Sequence, residues 1–210
     1  MSFPTYHKID SVFKRDPETR FKTFLLGEYA NPVFEYLVDN EWVWTEKIDG
    51  TNIRLYWDGE SVHIGGRTDN AQIPSFLIQR LDEIRPWIAE VFDETPGVLL
   101  FGEGYGAKIQ KGGGLYKPDG VDFILFDVSV GGVVLERENV LDIAGRLGID
   151  TVPVVGTGSI HDAIEWVKEG HPSRIGTAKA EGLVMRPAVE VCDRMGRRII
   201  TKLKFKDFNV

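Results

Sequence analysis

An α+β fold built on largely antiparallel sheets is what this 210-residue sequence predicts. Its strand-like and helix-like segments do not alternate strictly, as a parallel doubly wound sheet would require. Its short apolar-alternating runs end in Asp-Gly and Gly-Gly turn signals, the connections that hairpin neighbours use. A hydrophobic content of 42% and a charged content of 27% are those of an ordinary soluble globular protein. The length suits one domain with a proper core, or at most one domain and a small appendage.

Taken in order, residues 1–40 carry aromatic anchors (Phe3, Tyr6, Phe13, Phe21, Phe24, Phe34, Tyr36) without clean periodicity, and read as short helices and loops packed on the main body. Residues 41–66 predict three short strands with turns at Asp49-Gly50 and Asp58-Gly59. The second turn, between Tyr56-Trp57 and Val62-Ile64, makes a good hairpin, and Gly65 to Asn70 follows as a loop holding Arg67. From 75 to 93, Phe76, Leu77, Ile78, Leu81, Ile84, Ile88, Val91 and Phe92 fall at helical spacing, with Pro86 expected to kink or divide the helix. Val98 to Phe101 is a buried strand running into Gly102-Glu103-Gly104. Val121 to Val130 is another, ending in a Gly131-Gly132 turn. Helices are expected near Arg137–Leu147 and Ile160–Glu169, the second capped by Ser159 with Asp162. Strands at Gly182–Arg186 and Ile199–Phe205 close the chain.

A net charge of −7 argues against a surface that grips nucleic acid everywhere. The cations are clustered, however, as Lys108 with Lys111, then Arg194, Arg197 and Arg198, then Lys202, Lys204 and Lys206. A nucleic acid or polyphosphate would sit where those groups converge. The single cysteine, Cys192, excludes an internal disulfide and suits a reducing compartment. The N-terminus has no apolar signal region and no run reaches membrane-spanning length. A cytoplasmic protein is expected, or one of a host cytosol if its source is viral, with no membrane partner.

The chemistry centres on Glu46-Lys47-Ile48-Asp49-Gly50-Thr51-Asn52. An apolar run ends, a lysine appears, and a glycine follows before alternation resumes at Ile53, Leu55 and Trp57. This reads as strand, tight turn, strand, with Lys47 at the rim of a sheet and Gly50 letting a ligand approach the backbone. A desolvated rim lysine among other cations is a covalent nucleophile; shifting its proton affinity by about three units costs roughly 4 kcal/mol, so such a site must be built deliberately. The plain alternative is a solvated turn lysine. In the last strand, Lys202, Lys204 and Lys206 alternate with Leu203, Phe205 and Phe208, which puts the ammonium groups on one face. They form an anion cradle or, by default for such a segment alone, the protective lysines of an edge strand. Glu103 and Glu181 each sit beside glycine at a strand end, where a carboxylate binds a ribose hydroxyl or a hard metal ion, or simply water. Gly102-x-Gly104-x-x-Ala107 formally fits a dinucleotide-binding fingerprint, but Gly112-Gly113-Gly114 interrupts the helix that motif requires. The four histidines lack metal-ligand spacing.

These pieces, in this order, resemble the motifs of the covalent nucleotidyltransferases: DNA ligases, RNA ligases and mRNA capping enzymes. Lys47-Ile48-Asp49-Gly50 resembles the nucleophile motif and Phe101-Gly102-Glu103 the third. Phe123–Val128 resembles the aromatic-bearing strand that follows, and Glu181-Gly182-Leu183-Val184 and Lys202-Leu203-Lys204 the fourth and fifth. Gly-Thr-Asn after the lysine makes the chain most similar to the phage and RNA-editing type of RNA ligase, and Arg67 matches the arginine placed beyond the hairpin there. Asp49 stands where some members carry histidine, so no role is borrowed from that histidine. The resemblance runs out just after the fifth motif, so a catalytic domain alone is expected, without the OB-fold of DNA ligases and capping enzymes or the helical C-terminal domain of many RNA ligases.

The resemblance implies a single catalytic domain over residues 1–210, an ATP-grasp-like nucleotidyltransferase fold of antiparallel β-sheets flanked by helices. Its function would be ATP-dependent RNA ligation in RNA repair through a lysyl-AMP intermediate, with ATP and Mg2+ (or Mn2+) as cofactors. Lys47 would be the nucleophile, Lys202 and Lys204 would neutralise phosphates, and Arg67 would contact a phosphate or the RNA 5′ end. Glu46 would accept from the adenine amino group, Phe126 would stack on the ring, and Asn52 and Glu103 would lie near the ribose and α-phosphate. Glu181, with Glu103, would hold the divalent ion. The partners implied are RNA ends or a nicked RNA-containing duplex, with room for a partner protein replacing the missing C-terminal domain. An ATP-dependent DNA ligase-like enzyme, a guanylyltransferase, and a nucleotide- or RNA-binding module without ligation are the alternatives.

Overall fold

The computed structural model describes residues 3–208. In chain order the elements are β1 (Asp10–Ser11), β2 (Phe13–Arg15), β3 (Phe24–Tyr29), α1 (Pro32–Tyr36), β4 (Trp42–Lys47), β5 (Thr51–Trp57) and β6 (Val62–Gly65). Then come α2 (Ser75–Phe92), β7 (Val98–Gly106), α3 (Gly113–Tyr116), β8 (Val121–Val130), β9 (Val133–Val134) and α4 (Arg137–Leu147). The last are β10 (Asp150–Thr151), β11 (Val154–Gly158), α5 (Ile160–Glu169), β12 (Gly182–Pro187) and β13 (Thr201–Lys204). This is the expected α+β class, and the chain divides into two compact units: residues 3–7 with Asp49–Val152, and Lys8–Ile48 with residues 153–208.

The first unit is one sheet of order β10-β8-β7-β5-β6, with β9 against β8. Alternation in β5 sends Ile53, Leu55 and Trp57 into a core with Leu77, Leu81, Ile84 and Ile88 of α2 and Val140, Ile143 and Leu147 of α4. The opposite face carries Leu99, Phe101, Tyr56 and Phe126, packed with Phe3 and Tyr6. α2 runs unbroken through Pro86. Pro86 and Asp82, whose carbonyl the missing N–H would have met, are both exposed residues, so the helix does not bury that lost bond in its core. The dinucleotide fingerprint is excluded directly, because Gly102 and Gly104 lie inside the nine-residue β7 rather than in a turn leading to a helix.

The second unit is a sheet of order β1-β13-β12-β4-β11, antiparallel except for the β1–β13 pair, with β2 and β3 forming a separate hairpin. Trp42, Trp44, Leu183, Met185 and Leu203 face Ile160, Ala163, Ile164 and Val167 of α5. Helix α5 opens with the expected box: the Ser159 hydroxyl accepts from the Asp162 N–H and the Asp162 carboxylate accepts from the Ser159 N–H.

Several expectations give way. Residues 10–29 hold three strands, not helices and loops, because β2 and β3 pair through a register shift that breaks the period-2 signal. The turn at Asp49-Gly50 closes no hairpin: β4 and β5 enter different sheets. β13 lies between β1 and β12, so its lysines do not guard an edge. Lys206 is not on that strand; the chain turns into a 3₁₀ segment at Phe205–Asp207, where buried Asp207 pairs with Arg15 at 2.8 Å, leaving Lys206 exposed. Among the described residues no helix is long and apolar enough to cross a membrane.

Candidate active site

In the second unit, three adjacent strands bring three motifs into register. Gly182 pairs with Lys47 of β4 on one side and with Lys204 of β13 on the other. Gly182 is required there, because a Cβ at this position would lie 2.0 Å from the Leu203 carbonyl oxygen. Glu181, just before β12, is fixed by the Phe205 N–H donating to its carbonyl at 2.9 Å. Its side chain then accepts from both lysines: Lys47 Nζ to Oε2 at 2.7 Å and Lys204 Nζ to Oε1 at 2.6 Å. Side-chain exposures of 22% for Lys47, 14% for Glu181 and 20% for Lys204 make this a shielded cluster. Burial pushes the Glu181 carboxyl up, but the Lys47 charge and the hydrogen bonds from Lys204 and Lys47 outweigh it and hold its pKa below the ordinary value. Lys202, two residues before Lys204, shares its face of β13, and both are half-buried.

Glu46 points the other way. It pairs with Leu183, a core residue, and is 1% exposed. Its Oε2 accepts from the Arg174 N–H at 2.8 Å, while its Oε1 is buried without a hydrogen-bond partner. A buried carboxylate oxygen left bare costs free energy, and a ligand N–H donor would satisfy it.

The remaining predicted residues lie in the first unit. Asn52 of β5 and Glu103 of β7 are direct cross-strand neighbours, Asn52 with a buried Oδ1 that lacks a partner. Gly50 lies against β7: a Cβ there would come within 2.3 Å of the Gly104 carbonyl oxygen and 2.7 Å of the Glu103 Cγ. Gln110 holds this turn from the next loop, donating to the Gly50 carbonyl at 2.9 Å. Phe126 is the extra residue of a bulge, since Phe101 pairs with Asp127 and Gly102 with Leu125; its ring meets Tyr6 edge-on at 5.0 Å. Arg67 is exposed in the loop after β6. Among the described residues no three or more His, Cys, Asp or Glu side chains gather to hold a metal ion. Both oxygens of Glu181 already accept from a lysine, so an ion at Glu181 would have to displace one.

Two residues of this machinery escaped sequence reading. Gln110 had no signal. Arg54 had one: alternation with Ile53 and Leu55 placed it on the face of Asn52, away from the apolar core.

A model of the RNA ligase family matches residues 40–204. Among solved structures the chain is similar to a Naegleria gruberi RNA ligase with PPi, at a TM-score of 0.66 and 20% identity, over 96% of this chain and 57% of that one. A lysine-to-alanine mutant of that ligase with ATP and Mn matches at 0.65 and 19% identity, with the same coverage. A lysine-to-methionine mutant with AMP and Mn also matches at 0.65 and 19% identity, again over 96% of this chain and 57% of that one. At this identity the likeness is one of fold, and the chain spans a little over half the length of those structures. No curated relative matches the sequence.

Proposed function

The chain belongs to the RNA ligase family, and from that premise we propose that it is an ATP-dependent ligase that seals RNA through a lysyl-AMP intermediate. The observation that carries this reading is the shielded cluster in which one carboxylate, Glu181, holds the two motif lysines Lys47 and Lys204. Lys47 Nζ attacks the α-phosphorus of ATP; the P–N bond forms as the bond to the bridging oxygen breaks, pyrophosphate leaves, and the amine gives up its proton. Attack needs a free lone pair, so Lys47 must leave the ion pair first. Lys204 then keeps Glu181 balanced while Lys202 and Lys204 face the phosphate oxygens. The RNA 5′-phosphate oxygen next displaces Lys47 from the adenylate, and a 3′-hydroxyl displaces AMP to close the strand.

Glu46 Oε1 takes the adenine amino group, the donor that its bare, buried oxygen lacks. Asn52 and Glu103 serve the ribose and α-phosphate, Phe126 stacks on the base, and Arg67 meets a phosphate or the RNA 5′ end. Glu181 and Glu103 are the residues that would hold magnesium, or manganese as in the similar structures with Mn, and the ion would supply charge neutralisation on the phosphates. Exposed, unpaired Cys192 fits a reducing cytoplasm.

Intact-protein mass after incubation with ATP and magnesium tests the reading, with the as-purified protein checked for AMP already attached. The wild type should gain one AMP and Lys47→Ala none. An adduct on Lys47→Ala would remove Lys47 as nucleophile, and no adduct on either would favour a binding module. Labelling by GTP would favour capping chemistry, and preferential sealing of DNA nicks the DNA ligase reading.

A further inference from the structure

We propose that Arg54 is a positioning residue that sets the place of Arg67, a proposal that rests on the role given to Arg67 above. Arg54 sits in the middle of β5 and is 0% exposed. Its guanidinium is committed on every side. Nε donates to the Gly66 carbonyl at 2.6 Å and Nη2 to Asp69 at 2.9 Å. Nη1 donates to the carbonyls of Phe3 at 2.7 Å and Pro4 at 3.2 Å, and the Phe3 ring lies 4.5 Å from the guanidinium carbon.

Gly66 immediately precedes Arg67, and Asp69 follows it by two residues. One rigid fork therefore grips the Arg67 loop from both flanks, and the loop closes beyond it with the Ala71 N–H donating to Thr68 at 3.1 Å. Gly65 makes the approach feasible: a Cβ there would lie 2.7 Å from the Phe3 ring and 3.1 Å from Arg54 Nη2. Apolar packing commonly replaces a buried ionic group at no loss of stability. Burying a guanidinium here gains a fixed geometry, because its planar donors hold several acceptors at set angles and a lysine ammonium cannot. The same fork seats Phe3 and Pro4, so the start of the chain and the Arg67 loop share one anchor.

Arg54→Ala would strip three carbonyls and a carboxylate of their donor and fail to fold, so two milder variants make the test. Arg54→Lys keeps the charge and loses the fork; Asp69→Asn weakens the clamp at its surface end. Amide hydrogen exchange should quicken at residues 66–71 in both, about tenfold or more in Arg54→Lys, with β7 and β8 unchanged. In the sealing reaction, Arg54→Lys should slow the step that Arg67→Ala slows. The double variant should be no slower than Arg67→Ala alone, the mark of two residues acting as one unit. Losses that multiply, or an Arg67 loop as well protected in both variants as in the wild type, would overturn the proposal. If the wild type forms no lysyl-AMP, the ligase reading fails by itself, and hydrogen exchange still decides whether Arg54 holds the loop.

Discussion

Glu181 joins two lysines through one carboxylate, and that arrangement has a pH signature. Its folded pKa lies below its ordinary 4.5. A carboxyl depressed on folding adds stability that is fully present above the unfolded value and is lost as pH falls through the folded one. Glu181→Gln should therefore cost about 1–3 kcal/mol at pH 7, because Lys47 and Lys204 lose their shared counter-charge. The gap between variant and wild type should close as pH drops below about 4.5, and urea titrations across that range would measure it. A gap that held constant to low pH would mean the pair contributes nothing through charge. The residue types of this cluster were legible in sequence, but its pairing was not. Lys47 and Glu181 stand 134 residues apart, and no local pattern says that one carboxylate receives both lysines. The edge-strand reading of Lys202 and Lys204 failed for the same reason, since a strand's place in a sheet is set by distant partners.

Helices were read more faithfully than sheets because their signals are local. The bounds of α4 and α5 agree with the apolar spacing and the Ser159 cap, whereas the strands before Ala30 carried no comparable mark. The strands depend on close backbone approach at a few glycines, and this separates them from glycines that merely occupy a position. Gly182→Ala would set a methyl 2.0 Å from the Leu203 carbonyl oxygen and force β12 and β13 apart. The expected loss is about 1–3 kcal/mol, with a marked fall in AMP adduct formation, because Glu181 and Lys204 move with those strands. Gly145 is the contrast: it lies exposed within α4 with nothing within 4 Å of an added Cβ. Gly145→Ala should stabilise the protein by roughly 0.5–1 kcal/mol through helix propensity alone. Denaturation of the two variants side by side, with adduct formation measured on each, would check both signs; equal effects would show that the β12–β13 approach is not a constraint.

At the scale of the whole molecule, a net charge of −7 must be reconciled with the polyanionic substrate proposed above. The long-range field repels RNA, so attraction has to come from short-range contacts with cations held in place. Many of the cations are already engaged. Lys47 and Lys204 face Glu181, Arg54 faces Asp69, and Arg197 faces Asp193. A cation spent on a carboxylate is not spent on a phosphate, and each phosphate contact on a duplex adds about −0.9 to the slope of log affinity against log salt. A nicked RNA duplex should accordingly bind this chain weakly, with a slope of roughly −2 to −4. The proposed Arg67 contact can be read in the same titration, since Arg67→Ala should reduce the slope by about one. Fluorescence anisotropy from low to moderate salt would give both numbers. A slope approaching −10 would show that a broad basic surface carries the binding, against the charge balance of the chain.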